Sequence, residues 1–244
     1  MNRILVINII FISLLLLISI TTTYNYYIVI KIHFSKKKCN EKMIHVDEFD
    51  YDIEEIPNFL TDKECDKIIE ISKNKLVPSL VYTDNKDLYI TENRKSKQCW
   101  FEDEGYWSQI LDDKLFIKTL SDKIKNYTNT HNKYHEHLQV VNYEPGGFFI
   151  PRYDACDENT EYCERMNGNN GPRYLTFMVY LNNNFEGGET IFPVINKLIK
   201  PEKGKAVLFR NVNNKGNIIN QSFHGGEPVK SGEKWIINKW IHIK

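Results

Sequence analysis

Arg173-Tyr-Leu-Thr-Phe-Met-Val-Tyr-Leu181 is followed, after a short Asn-rich connection, by Glu186-Gly-Gly-Glu-Thr-Ile-Phe-Pro193. The first stretch is rich in β-branched and aromatic residues and reads as a buried strand. Gly187-Gly188 marks a turn. Further strands lie on either side. Lys205-Ala-Val-Leu-Phe209 follows the turn Pro201-Glu-Lys-Gly204, and Trp235-Ile-Ile-Asn-Lys-Trp-Ile-His-Ile243 forms the last strand. Upstream, Leu138-Gln-Val-Val-Asn-Tyr143 reads the same way. Strands at short intervals, separated by Gly and Asn clusters, argue for a sandwich or barrel over about residues 137–244. Residues 155–172, with Gly168-Asn-Asn-Gly171, read as one long loop of the size used for lids and binding loops. The 211–219 loop is its counterpart for substrate selection.

Upstream of the strands the period changes. Thr61-Asp-Lys-Glu64 is a capping-box pattern, and the apolar spacing of Cys65, Ile68, Ile69 and Leu76 places a helix over about 62–75. A second helix is expected over about 106–126, with Trp107, Ile110, Leu111, Leu115, Leu120 and Ile124 as its apolar face. These helices would cover one face of the strands. Arg94-Lys-Ser96, between them, has no assignable structure. There is no internal repeat and no low-complexity tract.

Residues 4–30 contain no charged side chain, and Ile4 to Ile20 is almost entirely Ile, Leu, Val and Phe. A membrane-spanning helix needs roughly 20 apolar residues. Residues 1–30 are therefore expected to be a transmembrane signal anchor, with 31–50 as a polar tether and 51–244 as the folded domain. A cleaved signal peptide fits less well, because Ser19-Ile-Thr21 is a poor cleavage site. Lys36-Lys37-Lys38 after the span would by the positive-inside rule keep the domain in the cytosol. The acceptor patterns Asn126-Tyr-Thr128 and Asn220-Gln-Ser222 point to a lumenal domain and a glycoprotein. The charge balance, 32 basic against 32 acidic residues, gives no electrostatic case for nucleic acid as a partner. None of the five cysteines, Cys39, Cys65, Cys99, Cys156 and Cys163, forms a C-x-x-C pair, which argues against a zinc site. A Cys156–Cys163 bridge would close a small loop, contribute roughly 2.5 kcal/mol on the chain-entropy model, and require an oxidising compartment. Cys65 reads as a buried thiol.

The chemistry-bearing residues are spaced along the last hundred positions: Tyr143-Glu-Pro-Gly, Pro151-Arg152-Tyr153-Asp154, Thr190, His224-Gly-Gly and Lys234-Trp235. A non-haem Fe(II) oxygenase holds one face of its metal with two imidazoles and a carboxylate, leaving the other face open. Residues i and i+2 of a strand point to one side, so a ligand pair at that spacing grips one ion and a distant strand supplies the third ligand. Asp154 and His224 fit two of these roles. Lys234 can pair with the distal carboxylate of 2-oxoglutarate. Taken singly, His224 is a turn histidine, Lys234 a surface lysine, Asp154 a loop acid and Tyr143 a core residue. Their joint order reverses that reading.

From about residue 54 to the end the chain resembles the catalytic domain of the prolyl 4-hydroxylase family. The most specific stretch runs from Glu186-Gly-Gly-Glu-Thr-Ile-Phe-Pro193 to His224-Gly-Gly-Glu-Pro-Val-Lys-Ser-Gly-Glu-Lys-Trp235, and Arg173, Thr176, Tyr180 and Leu181 match the preceding strand. The resemblance implies a mostly β fold with flanking α, a double-stranded β-helix or distorted jelly roll. It implies Fe(II), 2-oxoglutarate, ascorbate and molecular oxygen, and hydroxylation of proline in collagen-like or proline-rich polypeptides. It also implies a domain in the lumen of the endoplasmic reticulum. By the same resemblance Asp154 and His224 bind the metal, Lys234 binds 2-oxoglutarate, and Tyr143 and Thr190 help to hold it.

One position departs from the family. Its first ligand is a histidine two residues before the aspartate, and here Arg152 stands there. Arginine has no lone pair to donate. About 4 Å from a divalent ion its charge would oppose binding by roughly 8 kcal/mol at an effective dielectric near 20. Three readings follow: a working hydroxylase with a two-residue site, a catalytically inactive module for proline-rich segments in which Arg152 pairs with Asp154, or a variant one nucleotide from a histidine codon. His135 and His137 both precede Tyr143 on the entering strand and are poor replacements.

Overall fold

The computed structural model describes residues 53–82, 88–89, 92–102, 111–156 and 161–242. The expected anchor and tether, Cys39, and the start of the second helix lie outside them. Among the described residues no helix is long and apolar enough to cross a membrane.

Two antiparallel sheets face each other. The larger has the spatial order β1 (Ile53–Ile56), β13 (Ala206–Arg210), β9 (Arg173–Tyr180), β16 (Lys234–His242), β7 (Leu138–Tyr143), β6 (Lys97–Phe101) and β2 (Val77–Pro78). The smaller runs β12 (Lys197–Ile199), β11 (Thr190–Phe192), β14 (His224–Gly226), β8 (Phe148–Arg152) and β5 (Arg94–Lys95). Short ladders join β10 (Glu186–Gly187) to β15 (Val229–Ser231) and β3 (Val81–Tyr82) to β4 (Leu88–Tyr89). This is the expected jelly roll.

The central strands β7 and β16 are buried without alternation, polar residues included, because both of their faces are covered. One face carries Leu138, Val140, Phe177, Val179 and Ile237, and packs against α1 (Asp62–Ser72) and α2 (Leu111–Thr128) through Cys65, Ile68, Ile117, Leu120 and Ile124. The other carries Val141, Met178, Tyr180, Val207, Phe209 and Ile236, which meet Phe192 and Ile199 of the smaller sheet. The capping box of α1 forms as read: Glu64 N–H donates to Thr61 Oγ1 at 3.3 Å and Thr61 N–H to Glu64 Oε2 at 2.7 Å.

Three expectations need correction. Residues 155–172 are not one loop, since α3 (Glu161–Asn167) and a 3₁₀ turn at Gly168–Asn170 lie within them. Glu, Arg and Met are good helix formers, Glu161 and Glu164 sit in the first turn where the dipole favours them, and Cys163 anchors the segment through a disulfide to Cys156. The β core does not begin near residue 137, because β1, β2, β5 and β6 add to the sheets from upstream. Those strands hold two to five residues each, too few to display a period. Leu111 and Leu115 are exposed rather than part of the buried face of α2, which is carried by Ile117, Leu120 and Ile124.

Gly204 locks the helical layer onto the sheets. Its N–H donates to the Tyr180 carbonyl at 2.8 Å and its carbonyl accepts from Leu60 N–H at 3.0 Å. Its φ is +79°, and a Cβ there would lie 2.2 Å from the Leu60 oxygen. Gly204→Ala therefore forces the two segments apart and is expected to destabilise the domain by about 2 kcal/mol or more, read as a lowered urea midpoint.

Cys65 and Cys99 are free and buried, and burial pushes their thiols up to about 12 and about 11. Of the four described cysteines, none is expected to react with iodoacetamide in the folded, unreduced chain. Cys156 and Cys163 become reactive on reduction, and Cys65 and Cys99 only on unfolding, as peptide mapping would show.

Candidate active site

The site is built where β8 and β14 run side by side. A Cβ on Gly225 would lie 2.8 Å from the Pro151 nitrogen, so glycine lets β14 close onto β8. That closure pairs His224 directly with Arg152 across the ladder. Asp154 follows two residues after Arg152 and turns to the same side.

Asp154 is held from both sheets. Its Oδ2 accepts from Thr176 Oγ1 at 2.8 Å and from Trp240 Nε1 at 2.9 Å, and these donors are themselves a directly opposed pair of β9 and β16. Its Oδ1 pairs with Arg152 Nη2 at 3.1 Å, while Oδ2 lies 3.5 Å from His224 Nε2. His224 Nδ1 donates to the Ser222 carbonyl at 2.8 Å, which leaves the Nε2 lone pair facing Asp154. The imidazole is clasped by the Phe192 and Phe209 rings at 5.5 and 4.7 Å.

Burial by itself would raise the Asp154 carboxyl, but the neighbouring His224, Arg152 and Arg173, with the Trp240 N–H, hold it well below the usual carboxylate range. Burial lowers the His224 imidazole to about 4, with Asp154 opposing and the Arg152 charge adding to the shift. At pH 7 the pair is thus a carboxylate and a neutral imidazole. The Arg152 guanidinium lies over the Phe149 ring at 3.6 Å.

Lys234, the first residue of β16, opposes Tyr143 of β7 and is 2% exposed. Its Nζ donates to the Gly188 carbonyl at 2.6 Å and sits 5.3 and 5.5 Å from the Tyr143 and Tyr180 rings. Tyr180 in turn shares a hydrogen bond with Thr190 Oγ1 at 2.6 Å. No carboxylate lies within ion-pair distance of Lys234 among the described residues. Burial pushes its ammonium down to about 7, with the Glu189 charge opposing and the Arg152 charge assisting.

The sequence-derived site residues thus form two neighbouring groups, Asp154 with His224 and Lys234 with Tyr143 and Thr190. Several participants were not singled out from the sequence. Thr176 was noted only as part of a matching strand, and Trp240 only as a strand residue. Arg94, from the segment with no assigned structure, is buried on β5 opposite Phe149, and its Nε donates to Ser96 Oγ at 2.7 Å. Glu136 receives both Arg173 and His242, and the Arg173 guanidinium lies 3.9 Å over the Trp240 ring, bracing the indole that holds Asp154. No motif marked Glu136, since its partners lie 37 and 106 residues away.

The family model for the 2OG-Fe(II) oxygenase superfamily matches residues 138–242. Prolyl 4-hydroxylase 13 of Arabidopsis thaliana is 31% identical over 203 residues, covering 76% of this chain and 69% of that protein. This chain belongs to the prolyl 4-hydroxylase family. Human prolyl 4-hydroxylase subunit alpha-3 is 35% identical over 187 residues, 76% of this chain but only 32% of the human protein. The viral collagen prolyl hydroxylase of Paramecium bursaria Chlorella virus-1, solved with 2-oxoglutarate, aligns with a TM-score of 0.57 at 30% identity, over 79% of this chain and 96% of that one.

Membership implies Fe(II) and 2-oxoglutarate, and the residues here answer differently to each. Among the described residues the buried Lys234 ammonium makes one hydrogen bond, which leaves donors suited to a carboxylate, so Lys234 fits 2-oxoglutarate. The family's three-ligand iron site is not fitted. His224 Nε2 and Asp154 converge as two donors, but the third position carries a guanidinium bonded to Asp154. Among the described residues no group of three or more His, Cys, Asp or Glu side chains could hold an ion. His135 is bonded to Thr130 Oγ1 at 2.7 Å and His137 is exposed, so neither replaces the missing ligand.

Lys234 carries its own stability signature. Its folded value, about 7, lies below the ordinary 10.5, so between these the unfolded chain binds the extra proton and stability rises with pH. Below about pH 7 both states are charged and the burial penalty is fully present. Lys234→Met is expected to remove this dependence and to stabilise the ligand-free domain at pH 7 by about 1–3 kcal/mol. Urea midpoints of both proteins at pH 6.5 and 9.5 would show it.

Proposed function

We propose that this chain hydroxylates peptidyl proline in collagen-like or proline-rich polypeptides, with 2-oxoglutarate and molecular oxygen as cosubstrates and Fe(II) and ascorbate as the remaining cofactors. Lys234 carries the reading: a buried cation with no carboxylate partner among the described residues, on the strand beside Tyr143, in a member of this family. Lys234 holds the distal carboxylate of 2-oxoglutarate, and Tyr143 with the Tyr180–Thr190 pair walls it from water. When bound, 2-oxoglutarate is oxidised to succinate and carbon dioxide, supplying two of the electrons that dioxygen takes up. Asp154 and His224 are the donors the chain offers to Fe(II), one fewer than the family's set.

A second reading is favoured by one observation, the Arg152–Asp154 ion pair opposite His224. In it the chain is a catalytically inactive module that binds proline-rich segments. The proposed setting is a single-pass membrane protein with this domain in the lumen of the endoplasmic reticulum. It is supported by the uncharged run at residues 4–30, by the Cys156–Cys163 disulfide and by the exposure of Asn126 and Asn220.

The test is Fe(II) binding and 2-oxoglutarate decarboxylation, measured for the chain and for Arg152→His with a proline-rich peptide. Turnover by the unmodified chain is the expected result and removes the inactive reading. No metal binding by the unmodified chain, with turnover appearing in Arg152→His, overturns the hydroxylase assignment in favour of the module.

A further inference from the structure

We propose that Arg152 is a built-in competitor for the metal position: its guanidinium stands in the place of a divalent ion beside Asp154 and His224, and its removal alone, with no replacement imidazole, lets those two side chains take up such an ion. The inference rests on the proposed function for the metal position but not on turnover.

The two remaining donors are set without help from Arg152. Asp154 and His224 are 3% and 5% exposed. Thr176 and Trp240 hold Oδ2 of the carboxylate from the larger sheet. The Ser222 carbonyl holds the Nδ1–H of the imidazole, and the Phe192 and Phe209 rings fix its plane. Two acceptors therefore face each other, since His224 Nε2, whose proton is on the other nitrogen, lies 3.5 Å from Asp154 Oδ2. Neither atom can donate to the other, and such a pair, removed from water, is stabilised by a cation beside it. An imidazole nitrogen and a carboxylate oxygen are donors that first-row divalent ions accept.

Arg152 is the cation that stands there. Among the described residues Asp154 Oδ1 pairs only with Arg152 Nη2, at 3.1 Å. That is one contact where a guanidinium can make two, and it is longer than the roughly 2.7–2.9 Å of a strong charge-assisted bond. The guanidinium also lies 3.6 Å over the Phe149 ring, which the Arg94 guanidinium approaches at 4.7 Å, so two like charges share one ring. The Arg152 side chain is 25% exposed, against 2% for that of Asp154. It can turn towards water about its own bonds while the two donors stay in place. A divalent ion and a guanidinium on the same carboxylate repel each other, so each excludes the other.

The test is titration of the full-length protein, stripped of metal with EDTA, with Co(II) alone, followed by visible absorption. Arg152→Leu, which carries neither charge nor lone pair, is expected to bind Co(II) roughly 10- to 100-fold more tightly than the unmodified chain, the scale of one charge-assisted contact. Arg152→Lys keeps the charge and is expected to stay within about tenfold of the unmodified chain. Adding His224→Ala to Arg152→Leu is expected to abolish the gain. Equal affinity in Arg152→Leu and the unmodified chain overturns the proposal. So does an equal gain in Arg152→Lys, or a gain that survives His224→Ala. If Arg152→Leu does not fold, the unmodified chain decides the matter. Labelling of Arg152 by phenylglyoxal, read by peptide mapping, is expected to quicken at saturating Co(II) as the ion displaces the guanidinium, and unchanged or slower labelling overturns the proposal. Tighter Co(II) binding in Arg152→Leu, with no turnover by any form, counts against the hydroxylase assignment alone.

Discussion

The Asp154 carboxylate lies where the two sheets meet and is bound by both. Thr176 and Trp240 reach it from the larger sheet, Arg152 and His224 from the smaller. A buried carboxylate is stable only if its lone pairs are satisfied and its charge is offset. That requirement sets the register of four strands at this end of the molecule. It explains the direct pairing of Thr176 with Trp240, and the brace of Glu136, Arg173 and His242 behind the indole.

The neighbouring Lys234 follows the opposite logic. Its ammonium is buried with a carbonyl and two aromatic rings but, among the described residues, no counter-ion, an arrangement that folding alone disfavours. Such a residue is intelligible as half of an interaction whose other half is a ligand. The two groups are linked through Arg152, whose charge favours the ionised Asp154 and disfavours the charged Lys234. One side chain therefore acts on both: Arg152 sets a positive charge beside Asp154 and His224, and that charge also disfavours the ammonium form of Lys234.

Much of this was legible in the linear sequence because short-range pattern carries it. The Thr61–Glu64 cap, the strand runs at Leu138–Tyr143 and Arg173–Leu181 and the Gly187-Gly188 turn have local signatures, while the Asp154, His224 and Lys234 set was legible from its order along the chain and the family resemblance. The β1, β2 and β5 strands do not, since two to four residues show no period. Helix α3 was hidden among loop-forming residues, and the exposure of Leu111 and Leu115 depends on which face of α2 meets the sheet. Arg94, Glu136 and Trp240 acquire their roles from partners that only chain folding brings near.

Arg152 marks the boundary between what each level decides. Sequence placed a residue with no lone pair where the family carries its first ligand, and the lack of a lone pair is a property of the side chain itself. Sequence also pointed to a β sandwich or barrel, because strand pattern and turn chemistry are local; the jelly roll followed from the family resemblance. Only the tertiary structure decided what the arginine does there. Its ion pair with Asp154, its place opposite His224 and its seat on Phe149 depend on the closing of β14 onto β8. Charge interactions act through space and burial, and neither distance nor burial is written along the chain.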